Sequence, residues 1–373
     1  MSSFWANHLH LSVFGESHGP GIGATIDQLP PGQAISYEEI KAFMHRRAPG
    51  HFPWATKRKE SDIPEILSGF YNSRTTGTPM TALIRNTDQR SQDYAKLYDH
   101  PRPGHADLSG NVRYRGANDK RGGGHFSGRI TAGICFAGSV CLQILRRQGI
   151  EIYAHIHTIA DIPDAEADPV NPPLADLRAV KDKDFPVLDD AQGEKMIAAV
   201  AAARDDLDSV GGYIECFVLG LPVGVGDPMF GGLEPRLASF VYAIPAVKSL
   251  SFGDAPAIFS RRGSENNDSA QFDEDGRITW LSNHNGGADG GISNGQPLVF
   301  RTGFKPASSI SLPQQTISFS SRSNKTVTIE GRHDPCIVPR AVPVVESAAA
   351  IVILDALLSS GKFNPELTGE TAE

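Results

Sequence analysis

From Val342 to Ser359 the chain reads as one long helix, apolar nearly all round, with Glu346 and Asp355 bounding its most apolar run, Ser347 to Leu354. A helix without a polar face must be covered on every side, so the rest of the chain has to wrap it. That apolar run is too short to span a bilayer. A second helix is predicted from Ser127 to Gln148, with Ile130, Ile134, Ala137, Cys141 and Leu145 on one stripe. Gly128, Gly133, Ala137 and Gly138 keep it slim, Gly133 and Gly138 at a loss of helix propensity that close packing would explain, and Gly149 supplies its stop.

Strands surround these helices in a partly repeated order. Leu9, Leu11 and Val13 alternate before a glycine-rich turn, and Ile22, Ala24 and Ile26 alternate after it. Ser36-Tyr37-Glu38-Glu39 is a capping box for a short helix through Ile40, Phe43 and Met44 that ends at Arg46-Arg47. After the Ser127 helix come an acidic connection over 160–190, a helix over 193–207 and a strand from Tyr213 to Leu219. A helix near 233–243, a glycine-rich segment at 282–295 and a strand at 297–303 precede the final helix. Two passes of strands, loop and helix suggest an internal pseudo-duplication without repeated identity. The reading is one α+β domain over 1–361, followed by a polar tail over 362–373.

With 40% apolar and 21% charged residues the chain is globular in composition, and its 38 glycines and 26 prolines imply many loops. A net charge of −8 opposes binding to nucleic acid or an anionic membrane, so an anionic ligand needs a local cluster of arginines. The segment Met1 to Trp5 lacks the pattern of a secretory signal, and a cytoplasmic protein is expected. Cys135, Cys141, Cys216 and Cys336 are scattered without a C-x-x-C pair, which argues against zinc or disulfides. His8-x-His10 and His155-x-His157 read as ordinary strand histidines. Residues 48–62 and 86–124 form long polar segments of weak periodicity, the second being the most basic region of the chain. Segments of that kind are usually functional loops.

The turn itself, FGESHGPG over 14–21, matches the serine-hydrolase pattern G-x-S-x-G. That pattern requires several earlier strands and a following helix, whereas one strand precedes Ser17 and a strand pattern follows it. A dinucleotide fingerprint fails on the spacing of Gly19, Gly21 and Gly23 and on the missing helix. What survives is a tight turn that lets a ligand approach the backbone, with a hydroxyl and an imidazole side by side. Three more segments set polar groups among glycine or proline: Arg102-Pro-Gly-His105-Ala-Asp107, Gly122-Gly-Gly-His-Phe-Ser127-Gly-Arg129 and Gly331-Arg332-His333-Asp334-Pro335-Cys336.

With these blocks the sequence resembles the chorismate synthase family. FGESHGPGIGATIDQLPPG, HRRAPG, TDQRSQDY, RPGHAD, FSGRITAG, IPAVKSLSFG, SNHNGGADGGISNG, KPASSI and GRHDPCIVPRAVPVVESA follow that family's order, over about residues 8 to 357. The resemblance implies an α/β sandwich with long helices between antiparallel sheets, assembled as a homotetramer. It implies a lyase that removes phosphate from C3 and a proton from C6 of 5-enolpyruvylshikimate 3-phosphate, giving chorismate, with reduced FMN required although no net redox change occurs.

By the same resemblance His18 would act as general acid at the leaving phosphate, His105 would protonate or balance the reduced flavin, and Asp334 would work with it in removing the C6 proton. Ser17 and Ser127 would orient these groups. Arg47, Arg102, Arg129 and Arg332 match substrate-clamping arginines, and Arg332 also an FMN contact. Lys305, Pro306, Ala307, Ser308 and Ser309 match an FMN loop, with Pro245, Ala246 and Gly290 as further contacts. Two departures stand out. His125-Phe126-Ser127 occupies the place of an Arg-Ser-Ser flavin contact, and Pro53-Trp54 the place of a second arginine that Lys57 or Arg58 would replace. Lys57, Arg58 and Lys59 otherwise read as a solvated basic face. NADPH is expected only as an indirect reductant, through an external flavin reductase. The rival readings are a flavin-binding protein without catalysis and a hydrolase using Ser17.

Overall fold

The structure, a computed structural model, describes residues 3–50, 60–88, 99–329 and 333–370. The first half contains strands β1 (Phe4–Ala6), β2 (His10–Gly15), β3 (Gly21–Asp27), β4 (Pro64–Ser68) and β5 (Met80–Arg85). Its helices are α1 (Tyr37–Arg47), α2 (Asp107–Arg113) and α3 (Thr131–Arg147). The second half contains β6 (Glu151–Ile159), β7 (Ile162–Pro163), β8 (Gly212–Leu219), β9 (Val247–Phe252) and β10 (Leu298–Phe304), with α4 (Leu233–Val241) and α5 (Val338–Ser359).

Both halves make a five-stranded antiparallel sheet, in the orders β1-β2-β3-β5-β4 and β7-β6-β8-β10-β9. The pseudo-duplication is therefore one of topology. In each half the fourth long strand inserts between the second and the third, a helix (α1 or α4) joins the second strand to the third, and a long helix (α3 or α5) follows the fourth. The long helices pack on each other, α3 against β3 and α5 against β6 and β8, giving a sandwich with helices between the sheets. The α+β class expected from the sequence is the one found.

Two glycines permit this spacing. A Cβ at Gly133 would lie 2.7 Å from the Gly23 oxygen on β3, and one at Gly138 would lie 2.2 Å from Cβ of Ser347 on α5. The acids that bound the apolar run of α5 act as internal anchors. Glu346 takes a bidentate pair from Arg46 at 2.6 and 3.0 Å and the Ala154 amide at 3.1 Å. Asp355 accepts the amides of His8 and Leu9 at 2.8 and 2.7 Å and pairs with Arg236 at 3.2 Å.

The second sheet carries a charged row across three strands, His155 opposite Glu215 and Glu215 opposite Arg301. His155 Nδ1 faces Asp164 at 3.0 Å and Nε2 faces Glu215 at 3.2 Å, while Arg301 Nε donates to Glu215 at 2.7 Å. Burial by itself would discharge His155, but its hydrogen bonds to Asp164 and Glu215 raise it to about 9. Glu215, against its own burial, is lowered to about 2 by His155 and Arg301. The His155 contribution to stability is complete below its ordinary value of 6.5 and is lost as pH rises through about 9. The Glu215 contribution is complete above its ordinary 4.5 and is lost as pH falls through about 2. The row thus stabilises most between those ordinary values. Glu215→Gln should cost about 1–3 kcal/mol of unfolding free energy at pH 6, measured by denaturant titration, because it leaves the buried His155 cation to Asp164 alone.

Several expectations change in detail. The helix predicted from Ser127 begins with a single tight turn, Gly128–Ile130, before α3. The final helix starts at Val338, because Pro339 sits in its first turn, where no amide partner is needed, and Pro343 is accommodated inside it. Part of the loop over 86–124 is helical, as α2. The capping of α1 also differs: Ser36 accepts the Glu39 amide at 3.3 Å, but the Ser36 amide donates to Gln143 at 2.8 Å while Glu39 pairs with Arg146. The predicted tail is docked over 362–370, where the Ala34 amide donates to the Thr368 oxygen and Arg74 to the Gly369 oxygen. Among the described residues two helices are long and apolar enough to cross a membrane, and both are packed within the sandwich.

Candidate active site

At the end of β2, Gly15 takes a φ of +98°, and the Gly19 amide closes a turn on the Glu16 oxygen at 3.0 Å. The FGESHGPG segment is therefore strand, turn, strand, which is not the geometry of a nucleophile elbow. Ser17 lines a cleft of about 1030 Å³, and its amide donates to the Gly124 oxygen at 3.1 Å.

Gly122, Gly123 and Gly124 all have positive φ, and each abuts a different polar group. A Cβ at Gly122 would lie 2.0 Å from His18 Nδ1. At Gly123 it would be 3.1 Å from His105 Cε1, and at Gly124 2.9 Å from Glu16 Oε2. The glycine run therefore threads between the two histidines expected to handle protons. His18 is set one layer back, 5% exposed and covered by Gly122, which itself lines the cleft. His105 lies on the cleft wall.

Around His105 the chain builds a charged knot. Asp107 accepts from Arg102 Nε at 2.7 Å and Nη2 at 2.8 Å, and from His105 Nδ1 at 2.6 Å. Burial opposes ionisation of Asp107, but the bonds from Arg102 and His105 prevail and hold it well below the usual carboxylate range. An ionised carboxylate can only accept, so the Nδ1 of His105 carries the proton. Arg102 Nη1 also donates to Ser309 at 3.0 Å, and Lys305 donates to the Gly104 oxygen. The 305–309 loop is thereby tied to the His105 segment. Burial, then the nearby Lys248, lowers the Lys305 ammonium below its usual range. Pro245 and Ala246 line the same side, and Ala246, at a φ of +73°, accepts the Lys305 amide at 3.0 Å.

Arg47 and Arg129 form a second group lining the same cleft, both buried. Ser127 caps the turn that carries Arg129, accepting its amide at 3.2 Å. Asp334 lines the cleft beside Arg340 of α5, which donates to it at 2.5 Å and to the Arg47 oxygen at 3.1 Å. His125 donates from Nδ1 to the Gly15 oxygen at 2.7 Å and meets the Ser3 hydroxyl through Nε2, so it buttresses the turn. Phe126 packs on Gly110, where a Cβ would be 2.5 Å away, and on Tyr114, which holds α2 in place.

Of the expected site residues, Ser17, Arg47, Arg102, His105, His125, Phe126, Ser127, Arg129, Pro245, Ala246, Lys305, Pro306, Ala307, Ser308, Ser309 and Asp334 share one cleft. Gly290 does not line it. It is an exposed residue in the turn between the short strands Ala288–Asp289 and Ile292–Ser293. Arg332, Pro53, Trp54, Lys57, Arg58 and Lys59 lie outside the described residues. Sequence reasoning missed Asp62, Asn86 and Arg340. Only Arg340 had a signal, six residues after Asp334 in the same block.

Residues 9–358 match the family model described as chorismate synthase. The chain belongs to the chorismate synthase family. A chorismate synthase of Lancefieldella parvula is 41% identical over 370 residues, 96% of this chain and 97% of that one. One of Aeropyrum pernix is 43% identical over 357 residues, 95% and 93% of the two chains. A solved structure titled "Crystal Structure of Chorismate Synthase" superposes with a TM-score of 0.75 at 27% identity, covering 95% of this chain and 93% of that one. As a chorismate synthase family member the chain is a lyase of the shikimate pathway, acting on a small molecule.

Proposed function

We propose that the cleft eliminates phosphate from 5-enolpyruvylshikimate 3-phosphate in a 1,4-anti sense, with reduced FMN bound, to give chorismate. The observation that carries this reading is the placing of His18 and His105 against successive glycines beside a cleft lined by Arg47, Arg102, Arg129 and Lys305. A volume of about 1030 Å³ suits a flavin and a small substrate together. Lys305 to Ser309, Pro245, Ala246, His125, Phe126 and Ser127 would hold FMN, and Arg102 is tied to that loop through Ser309. The bound reduced flavin supplies the electron-rich ring that the elimination needs.

The residues of the chain divide the remaining work. Arg47 and Arg129 bind the anionic groups of the substrate, and Asp334, held by Arg340, takes up the C6 proton. As the C3–O bond breaks, its electron pair leaves with the phosphate, which His18 protonates as general acid. His105, which donates its Nδ1 proton to Asp107 in a hydrogen bond and turns its Cε1–Nε2 edge toward Gly123, would balance the charge of the reduced flavin.

We also infer a cytoplasmic homotetramer supplied by an external flavin reductase, with NADPH as the indirect electron source. The exposed Leu67, Tyr71, Met229 and Phe230 support assembly. Anaerobic incubation of the purified protein with reduced FMN and substrate tests the reading, with chorismate expected. Flavin binding without product would favour the non-catalytic alternative, and labelling of Ser17 by a serine-directed probe would favour the hydrolase.

A further inference from the structure

Arg47 and Arg129 share one carboxylate. Asp62, with a fully buried side chain, accepts from Arg47 Nη1 at 2.5 Å through Oδ2 and from Arg129 Nη1 through Oδ1. Burial opposes its ionisation, but the two guanidinium groups prevail and hold it below the usual range. Its φ of +52° lies in the left-handed region, which aspartate adopts more readily than most residues.

Each arginine is fixed by other contacts as well. Arg47 donates from Nε to Thr131 at 3.2 Å and from Nη2 to the Gly128 oxygen at 3.3 Å. Arg129 donates from Nε to Asn86 Oδ1 at 3.0 Å, and Glu60 stands 4.0 Å from its Nη2. Asn86 in turn donates to the oxygens of Glu16 and Gly19, so the arginine is keyed to the turn that carries His18. Both arginines line the cleft, and Asp62 lies behind them, away from its wall.

Two guanidinium groups repel each other when a site is dry, and a carboxylate between them removes that repulsion while fixing their separation. The same carboxylate offsets much of their charge, so a lone anion gains little from them. A ligand whose anionic groups match the preset positions gains from alignment already made. We propose that Asp62 is a positioning residue that sets the spacing of Arg47 and Arg129 and so makes the cleft favour a ligand with several anionic groups over inorganic phosphate. This rests on the reading of the two arginines as the substrate clamp.

The test compares calorimetric binding of inorganic phosphate and of 5-enolpyruvylshikimate 3-phosphate to the wild type and to Asp62→Asn. Substrate affinity should fall at least about tenfold through misalignment, while phosphate affinity stays level or rises because a repelling charge has gone. A proportional fall for both ligands, or wild-type affinity for the substrate, would overturn the role. Should Asp62→Asn not fold, Asp62→Glu keeps the charge and displaces it by one methylene. The same split is expected there, and wild-type substrate affinity would again overturn it. Failure of the wild type to bind substrate would refute the substrate reading instead, so the two failures are distinguishable.

Discussion

Alanine in place of His18 should slow phosphate release by roughly 10²–10⁴, the usual worth of a positioned general acid. The loss should appear in kcat more than in KM, because Arg47 and Arg129 are held by their bonds to Asp62, Thr131 and Asn86. His105→Ala should cost a similar factor from the other side of the glycine run, where Asp107, itself held by Arg102, accepts from the ring. Steady-state kinetics with saturating reduced FMN would measure both. Unchanged rates in the two variants would remove the histidines from the chemistry.

Gly122→Ala should reproduce much of the His18 loss without touching a titrating group. A Cβ there would lie 2.0 Å from His18 Nδ1, a distance no real structure tolerates, so the imidazole has to move. Gly123→Ala is the matched control. Its backbone is also left-handed, at a φ of +84° against +60° for Gly122, but its Cβ would stand 3.1 Å from His105 and 3.2 Å from Arg102. Both variants carry the backbone strain, and only the first displaces His18. We expect a fall in kcat of about 10² for Gly122→Ala and a distinctly smaller one for Gly123→Ala. Equal losses would mean that strain, not the position of His18, limits the rate.

The sequence made the local elements legible because their causes are local. Alternation around the FGESHGPG turn, the apolar circumference of the final helix and the glycines of α3 each report a packing requirement directly. Even the duplication showed as an order of elements. The strand order within each sheet did not, since placing the fourth long strand between the second and third is a long-range pairing with no mark in spacing. The prolines at 339 and 343 hid the first turn of α5, because they read as breakers wherever neighbouring packing is unknown.

For the site, resemblance and glycine pattern located most of the wall, but not how its charges are grouped. Four arginines looked like one clamp. In the fold Arg102 belongs with His105 and Ser309, whereas Arg47 and Arg129 belong with Asp62. Asp62 and Asn86 escaped notice because a buried polar partner is defined by distance in space, and neither sits in a motif. His18 sitting behind Gly122 was likewise invisible, since it depends on a loop more than a hundred residues away.

The most direct measurement is of phosphate and chorismate released from 5-enolpyruvylshikimate 3-phosphate by the purified protein under anaerobic conditions, with reduced FMN, oxidised FMN or no flavin. Equal amounts of the two products with reduced FMN alone is the predicted result. Product formed without reduced flavin, or none formed by folded protein that binds reduced FMN, would contradict it.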